Sequence, residues 1–231
     1  MIVLFDADSL LWSSCINVED DLVEAKGKFD EVFMSIVNII DDYYPVEQVI
    51  VFAGARGNFR KKIYKKYKLN RKNKKLPKQL PNLQEYLNNH WSCKNACGME
   101  TDDLISIYWH KLKKEHGRDN LIIVSLDKDY KQLPALIYNY HYKHKEIYDI
   151  TPGEALKNFY TQMVVGDSTD NVNFCKGYGK KYAEKIFSGC KTKYQYIKRT
   201  FMLYKKIYKQ KAREKYIQSY KLLKLLNNEA I

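Results

Sequence analysis

The chain has 231 residues, of which 45% are hydrophobic and 29% charged, a balance typical of a folded globular protein rather than a disordered one. Lys and Arg number 40 against 27 Asp and Glu, a formal net charge of +13 that predicts a polyanionic partner. No apolar run approaches the roughly 20 residues of a transmembrane helix, and the start MIVLFDADSL lacks the basic residues of a signal peptide. We therefore expect a cytoplasmic protein with no membrane-spanning segment.

Aromatic residues favour nucleic acid over an anionic membrane surface as that partner. The chain has 20 Tyr and 9 Phe residues, interleaved with lysines. Aromatic rings stack on bases while lysines neutralise phosphates, so this combination is typical of nucleic-acid binding. The 5 cysteines are odd in number and lack the close spacing of a zinc site, so we expect free thiols.

The apolar pattern alternates between strands and helices along the first 150 residues. Short apolar runs predict three buried strands, at residues 2–5, 49–52 and 121–124. Helical periodicity predicts helices at residues 29–44, 101–116, 154–165 and 180–187, and onward to about 226. The alternation favours an α/β fold with a mainly parallel sheet over residues 1–150, with a helical part over 151–231 packed on it.

Residues 60–75 form a strongly basic run, RKKIYKKYKLNRKNKK, with ten basic residues in sixteen. A run of charge often marks only a solvated surface. This one also carries Tyr64 and Tyr67 and precedes Pro77 and Pro81. We therefore expect a mobile loop or arch over the edge of the sheet.

Acidic residues cluster where the predicted strands end and the predicted helices begin. Each cluster alone has a structural explanation, because Asp often caps a helix or begins a turn. In a parallel sheet, however, the carboxyl ends of the strands meet at one edge, where ligands bind. The clusters comprise Asp6 after the first strand, Glu100, Asp102 and Asp103 in ETDD, Asp127 and Asp129 in SLDKD, and Asp167 and Asp170 in GDSTDN.

Carboxylates gathered at one edge need cations to be stable together. Hard oxygen ligands without His or Cys favour Mg²⁺ or Mn²⁺. Two such ions in a phosphate-binding protein activate water and stabilise both oxygens of an in-line displacement at phosphorus. The residues therefore predict metal-dependent cleavage of a phosphodiester whose backbone is held by the basic run.

In these motifs the chain resembles a family, the 5′-nucleases of bacteriophages, bacterial DNA polymerase I and flap endonucleases. The resemblance runs nearly end to end and rests on segments that share the family's order and spacing. These are Asp6, FR..IYKKYKLNR at 59–71, ETDDLI at 100–105, SLDKDYKQL at 125–133, and GDSTDN followed by KGYGKKYAEKI up to Ile186.

The resemblance implies a PIN-like α/β fold with a helical arch over about residues 60–90 and a helix-three-turn-helix element within 151–231. It implies a structure-specific 5′-nuclease, a 5′-3′ exonuclease or flap endonuclease, that serves DNA replication or repair as a monomer. The implied substrate is DNA with a 5′ flap or end and an adjacent duplex, with RNA–DNA hybrid as a further candidate.

The resemblance also assigns roles to individual residues. Asp6, Glu100 and Asp102, with Asp103 close by, would bind a first ion, and Asp127, Asp129 and Asp167, with Asp170 near them, a second. In the basic run, Arg60 and Lys68 would contact the scissile phosphate during catalysis, Tyr67 would stack on a base, and Arg71 would contact a further phosphate. The alternative is that the basic residues Arg60, Lys68 and Arg71 only form the solvated face of a helix and contact no phosphate.

The hairpin Gly177-Tyr178-Gly179, followed by Lys180 and Lys181, is a candidate site for the duplex. Its two glycines let backbone groups approach a phosphate or an ion at the positive end of the helix that begins there. By resemblance the hairpin holds K⁺ against the DNA backbone. A lone GxG is more often a turn, so this assignment depends on its place after GDSTDN.

One position departs from the family pattern. Seven residues before Arg60, where the family has an aspartate, this chain has Ala53 in VFAGARGNFR, and alanine cannot ligate a metal. Two interpretations stay open: an enzyme with reduced activity, or a protein that holds branched DNA without cutting it. Asp8 is a candidate for partial compensation. A PIN-type ribonuclease is a third interpretation, which the glycine hairpin disfavours. The family and the compact length lean toward a bacteriophage source, and hence the cytoplasm of an infected bacterium.

Overall fold

A six-stranded sheet forms the centre of the protein, whose computed structural model describes residues 1–18, 21–71 and 75–227. Its strands are β1 (Ile2–Asp6), β2 (Gln48–Gly54), β3 (Lys94–Ala96), β4 (Leu121–Val124), β5 (Leu136–Asn139) and β6 (Glu146–Asp149). Their order is β3-β2-β1-β4-β5-β6, and all neighbours are parallel except the β5–β6 hairpin. The predicted mainly parallel α/β sheet is confirmed.

Helices cover both faces of the sheet and make up most of the chain after it. They are α1 (Asp8–Ser14), α2 (Leu22–Tyr43), α3 (Arg60–Ile63), α4 (Leu80–Trp91), α5 (Thr101–His116), α6 (Pro152–Val165), α7 (Lys180–Phe187), α8 (Lys193–Tyr208) and α9 (Ala212–Leu223). In the described ranges, none of these helices has the length and apolar run needed to cross a bilayer. All five cysteines are free thiols, as expected.

The central strand β1 separates two apolar cores. Val3 and Phe5 pack into one core with the helices α2 and α4, while Leu4 packs into the other with Ile105 and Trp109 of α5. Every residue of β1 is buried, as expected for a parallel strand covered on both faces. This burial fixes β1 in the middle, so its carboxyl end opens at the middle of the sheet edge.

The helices after residue 151 form a third core that is rich in tyrosine. Tyr160 and Tyr196 stack with ring centroids 5.5 Å apart, and the hydroxyl of Tyr204 donates to the carbonyl of Met163 at 2.9 Å. Part of the aromatic content that indicated nucleic acid therefore serves packing instead. Tyr67 of the basic run also belongs to this core.

The basic run is docked on the chain rather than standing free over the sheet edge. The Lys68 N–H donates to the carbonyl of Asp170 at 2.9 Å, and the amide of Asn171 donates to the carbonyl of Lys66 at 2.8 Å. The amide of Asn70 bonds the carbonyl of Ser168 at 3.1 Å. Within residues 60–71 the helical content is α3 and a 3-10 turn at Leu69–Arg71. Residues 72–74 of the predicted arch lie outside the described residues.

Candidate metal centre and nucleic-acid interface

Asp6 sits at the carboxyl end of β1 in a closed hydrogen-bond network. Its Oδ2 accepts from the hydroxyl of Ser125 at 3.0 Å and from that of Tyr130 at 2.8 Å, and its Oδ1 accepts from the Asp8 N–H at 3.2 Å. Ser125 follows β4, so the parallel pairing of β1 with β4 brings these two side chains together. The network fixes the direction of the Asp6 carboxylate.

Three further carboxylates converge beside it. One oxygen from each of Asp102, Asp127 and Asp129 lies within 4.8 Å of the others. Asp102 is in the first turn of α5, whereas Asp127 and Asp129 belong to the turn after β4. Sequence interpretation assigned Asp102 to one ion and the other two to a second, but the structure groups all three. Such a set of carboxylate oxygens fits Mg²⁺ or Mn²⁺.

Three carboxylates at this edge, those of Asp6, Asp102 and Asp129, have raised pKa values. Burial, followed by the charge of Asp8, raises the pKa of Asp6 to about 7. Burial, followed by the charges of Asp127 and Asp167, raises the pKa of Asp129 to about 7. For Asp102, burial and its acidic neighbours hold the pKa well above its ordinary value. A divalent cation would relieve this repulsion, so the site fits a metal electrostatically as well as chemically.

Glu100 is the N-cap of α5 and is neutralised by a lysine. Its Oε1 accepts from the ammonium of Lys68, which also lies 3.4 Å from Oδ1 of Asp170. Burial opposes ionisation of Glu100, but the Lys68 ion pair outweighs it and lowers the glutamate's pKa. Lys68 therefore neutralises two predicted metal ligands. Its predicted role at the scissile phosphate stays a prediction.

Tyr67 is not exposed for base stacking in this structure. The residue is 2% exposed, and its hydroxyl lies 2.6 Å from Oε2 of Glu100 and 2.6 Å from Oδ2 of Asp170. Burial and these two carboxylates raise the pKa of the phenol. The ring packs in the helical core instead of facing solvent, and the stacking role of Tyr67 stays a prediction.

Asp167 and Asp170 occupy a tight loop after α6. The Asp167 Oδ1 accepts from the N–H groups of Thr169 at 2.7 Å and Asp170 at 3.2 Å, and its Oδ2 lies 2.9 Å from the ammonium of Lys128. Burial opposes ionisation of Asp167, but the hydrogen bond and charge of Lys128 outweigh it and lower the pKa. The amide of Gln162 links Asp129 at 2.8 Å with Asp167 at 3.4 Å.

Asp103 and Arg60 neutralise each other in a buried ion pair. Arg60 is 1% exposed, and its two terminal nitrogens bond both carboxylate oxygens of Asp103, with Nη2 to Oδ1 at 2.8 Å. The remaining donors reach the carbonyls of Leu222 and Lys224. In this structure Arg60 and Asp103 bond each other, and their predicted roles at the scissile phosphate and at the metal stay predictions.

A positively charged cleft opens next to Glu100. It is a cavity of about 630 Å³, and its basic lining residues are Lys61, Lys65, Lys68 and Arg71. The Arg71 guanidinium bonds Asp170 at 3.2 Å and the carbonyl of Thr169 at 3.3 Å, yet 41% of its side chain stays exposed. Arg71 can therefore still face a phosphate in the cleft.

The glycine hairpin is exposed and precedes the helix α7. Gly177 has φ +89°, a conformation that favours glycine, and no heavy atom lies within 4 Å of a Cβ built at either Gly177 or Gly179. Gly179 is the N-cap of α7, and Lys180 and Lys181 are exposed in its first turn. The hairpin is open to a ligand, and its role at the duplex or with K⁺ stays a prediction.

Ala53 is buried in β2, and Asp8 lies close to it. Asp8 accepts from the N–H of Gly54 at 2.7 Å through Oδ1 and from the hydroxyl of Thr101 at 2.6 Å through Oδ2. The Asp8 side chain therefore ties the end of β2 to the start of α5 beside the position of the missing carboxylate. This placement is compatible with the partial compensation considered for Asp8.

Sequence analysis missed three residues that shape this edge. Lys128 neutralises Asp167, while Tyr130 and Ser125 orient Asp6. All three stand inside SLDKDYKQL, the segment that also carries Asp127 and Asp129. The motif pointed to this segment, but only the packing of the chain showed which partner each side chain has.

Comparison with a family model places this chain among known proteins. The model described as "5'-3' exonuclease, N-terminal resolvase-like domain" matches residues 1–160. A "5'-3' exonuclease" of Buchnera aphidicola subsp. Acyrthosiphon pisum (strain APS) is 29% identical over 188 residues, which cover 74% of this chain and 64% of the relative. Another, of Buchnera aphidicola subsp. Schizaphis graminum (strain Sg), is 29% identical over 218 residues, 86% of this chain and 74% of the relative. The chain thus spans just under two thirds of the first relative.

Solved structures share the fold at low sequence identity. The bacteriophage T5 flap endonuclease, in a pseudo-enzyme-product complex with DNA and metal ions, has a TM-score of 0.62 and 14% identity over 96% of this chain and 99% of that chain. The catalytic core of Rad2 in complex with DNA substrate (complex IV) has a TM-score of 0.53 and 13% identity. The similarity covers 99% of this chain and 73% of that chain. These similarities confirm the PIN-like α/β architecture. The match of the family model to residues 1–160 shows that this chain belongs to the 5′-3′ exonuclease family.

Proposed function

We propose that the protein is a structure-specific 5′-nuclease that hydrolyses phosphodiesters of DNA with the aid of divalent metal ions. The observation that carries the proposal is the convergence of carboxylates from separate segments at one sheet edge, next to a basic cleft. Family membership and the metal ions and DNA in the structure of the T5 relative support it.

Two Mg²⁺ or Mn²⁺ ions, when bound, would supply an activated water and stabilise the oxygens of an in-line displacement. Asp102, Asp127 and Asp129 are the residues whose oxygens already lie together to hold such an ion. Asp6 is the adjacent ligand, fixed by Tyr130. Asp167 and Asp170, with Glu100, would complete the set once Lys128 and Lys68 turn from carboxylate to phosphate.

The cationic residues would hold the DNA on either side of the carboxylates. Lys61, Lys65 and Arg71 line the cleft that would take the 5′ strand. Gly177, Gly179, Lys180 and Lys181 would contact the duplex, with K⁺ as an additional ion at the hairpin. Because these contacts are to phosphate, affinity should fall steeply with salt and show little dependence on base sequence.

Incubation with a labelled 5′-flap substrate tests the function. We expect short 5′ products with Mg²⁺ or Mn²⁺, none with EDTA, and little cleavage of a matched 3′-flap. Asp127→Ala should abolish the product while DNA binding in EDTA remains. Tight binding of the flap without product under either metal would contradict the enzyme and favour the binding-only alternative.

The binding-only alternative is favoured by Ala53 and has its own test. Restoring a carboxylate with Ala53→Asp should raise the cleavage rate and tighten Mn²⁺ binding by about tenfold, because a further oxygen ligand would face the ions. Ala53→Asn has the same size without the charge and serves as the matched control. An equal effect of both variants, or none, would show that the vacant position does not face the metal centre.

Several finer features of the proposal follow from the same resemblance. RNA–DNA hybrid is a second candidate substrate, and replication or repair in a bacteriophage-infected bacterial cytoplasm is the proposed setting. We propose a monomer, with the α/β nuclease core in residues 1–150 and the DNA-binding helices in 151–231. Among the described residues, all strands lie within 2–149, which supports this division.

A further inference from the structure

A buried hydrogen-bond network lies behind the carboxylate cluster and ends in the C-terminal segment. Arg60 is its centre: Nε donates to the carbonyl of Leu222 at 2.8 Å, and Nη2 donates to the carbonyl of Lys224 at 3.1 Å and to Asp103 at 2.8 Å. Its Nη1 also lies 3.5 Å from Oε2 of Glu100. We call residues 222–226 the C-terminal strap.

The strap contacts Asp103 directly as well as through Arg60. The N–H of Leu226 donates to Oδ1 of Asp103 at 3.0 Å, and the Glu100 N–H donates to Oδ2 at 3.3 Å in the capping box of α5. Both oxygens of Asp103 are therefore saturated by donors from three parts of the chain. Asp103 is fully buried, so these partners replace the water that would otherwise bond its oxygens.

The same strap reaches the opposite side of the cluster through two glutamines. The Gln132 amide donates to the carbonyl of Leu223 at 2.8 Å and to Oε1 of Gln162 at 2.9 Å, and the Leu225 N–H donates to Gln132 Oε1 at 3.4 Å. Gln162 in turn donates to Oδ1 of Asp129 at 2.8 Å. The strap therefore connects the start of α5 with the turn that carries Asp129.

Asp103 and Asp102 are consecutive in a helix, so they project in directions about 100° apart. With Asp103 held toward Arg60 and the strap, Asp102 points toward Asp127 and Asp129. Arginine suits this task because its planar fork can bond a carboxylate and two carbonyls at once, which an ammonium cannot. A change at Arg60 would let the first turn of α5 rotate or fray.

We propose that Arg60 is a positioning residue of the metal centre: braced by the C-terminal strap, it holds the start of α5 so that Glu100 and Asp102 face the divalent ions. The inference rests on the proposed function in one respect, that these carboxylates bind metal. It differs from the role implied by family resemblance, in which Arg60 touches the scissile phosphate.

Mn²⁺ titration without DNA, followed by electron paramagnetic resonance, tests the proposal together with flap binding in EDTA. Arg60→Lys keeps the charge and loses the fork; we expect about tenfold weaker Mn²⁺ binding, as is usual when a residue that orients metal ligands is changed. Flap affinity should stay within about twofold, since the side chain is buried. Lys61→Gln, at an exposed neighbour, is the control. It should weaken flap binding and leave Mn²⁺ affinity unchanged.

Gln132→Met removes the second arm of the network at nearly constant volume and should also weaken Mn²⁺ binding. Leu87→Ala, in the apolar core on the α2 side, provides a destabilised variant with unchanged Mn²⁺ affinity. Weaker flap binding with unaltered Mn²⁺ affinity in Arg60→Lys would overturn the inference and restore the phosphate role. Unaltered Mn²⁺ affinity in Gln132→Met would show that the C-terminal strap has no part in positioning the metal ligands. A wild type that binds no Mn²⁺ would instead overturn the proposed function.

Discussion

Asp102→Asn is expected to reduce flap cleavage by about 10²–10³-fold while making the metal-free protein more stable. Asp102 shares its site with Asp127 and Asp129, and burial with acidic neighbours holds its pKa well above the ordinary value. A raised pKa in the folded state means that stability falls as the pH rises from the ordinary carboxyl pKa, and the penalty is complete above the folded-state pKa. Neutral Asn removes this cost and keeps an oxygen to accept from the Asp103 N–H, as Asp102 does at 2.8 Å.

The gain should appear in EDTA as a rise in Tm of about 2–4 °C for each kcal/mol of relieved repulsion. In Mn²⁺ the order should reverse, because the wild type gains binding free energy that the variant cannot. Asp42→Asn, at an exposed carboxylate near the end of α2, is the control and should change neither measurement. Lower stability of Asp102→Asn in EDTA would contradict the electrostatic account of this cluster.

Gly166→Ala is expected to lower the free energy of unfolding by about 3–5 kcal/mol and to abolish cleavage. Gly166 is the C-cap of α6 and has φ +78° and ψ −173°, a conformation open almost only to glycine. A Cβ there would lie 2.3 Å from the carbonyl oxygen of Val172 and 3.0 Å from Cα of Asn173. That carbonyl accepts from the Asp167 N–H at 2.7 Å, so relief of the clash would pull the Asp167 loop apart.

Thermal unfolding and flap cleavage check this prediction together. Gly153→Ala is the matched control, because Gly153 is an exposed helical glycine in α6 with no heavy atom within 4 Å of a built Cβ. Alanine there should leave stability unchanged or slightly higher, since it lowers the entropy of the unfolded chain. Equal stabilities of the two variants would show that the backbone at Gly166 can relax at no cost.

Local pattern was sufficient for the parts of the fold whose residues signal their own structure. The apolar runs of β1, β2 and β4 and the periodicity of α5 predicted the parallel sheet. The strands β3, β5 and β6 were missed. All three are only three or four residues long, and β3 and β6 are edge strands with polar residues such as Lys94 and Glu146. Their pairing depends on a neighbouring strand more than on their own composition.

The sequence predicted that the acidic residues would lie together, but not which partner each of them would have. Strand ends and helix starts determined that Asp6, Asp102 and Asp127 would meet at one edge of a parallel sheet. The spacing of letters could not show that Asp103 turns away to Arg60, or that Tyr67 packs in the helical core. Of two neighbouring residues in one motif, Asp102 thus joins the carboxylate cluster and Asp103 pairs with an arginine.

By itself, the sequence determined the α/β class, the place of the carboxylates and the basic character of the surface, because periodicity and charge are local properties of the chain. Only the tertiary structure decided which charged side chains pair with each other and which remain available to a ligand. Arg60 meets Leu222 and Lys224 more than 160 residues further along the chain, a contact that only packing creates. The strength of an ion pair depends on the distance between the two charges and on their burial, and separation along the sequence gives neither quantity.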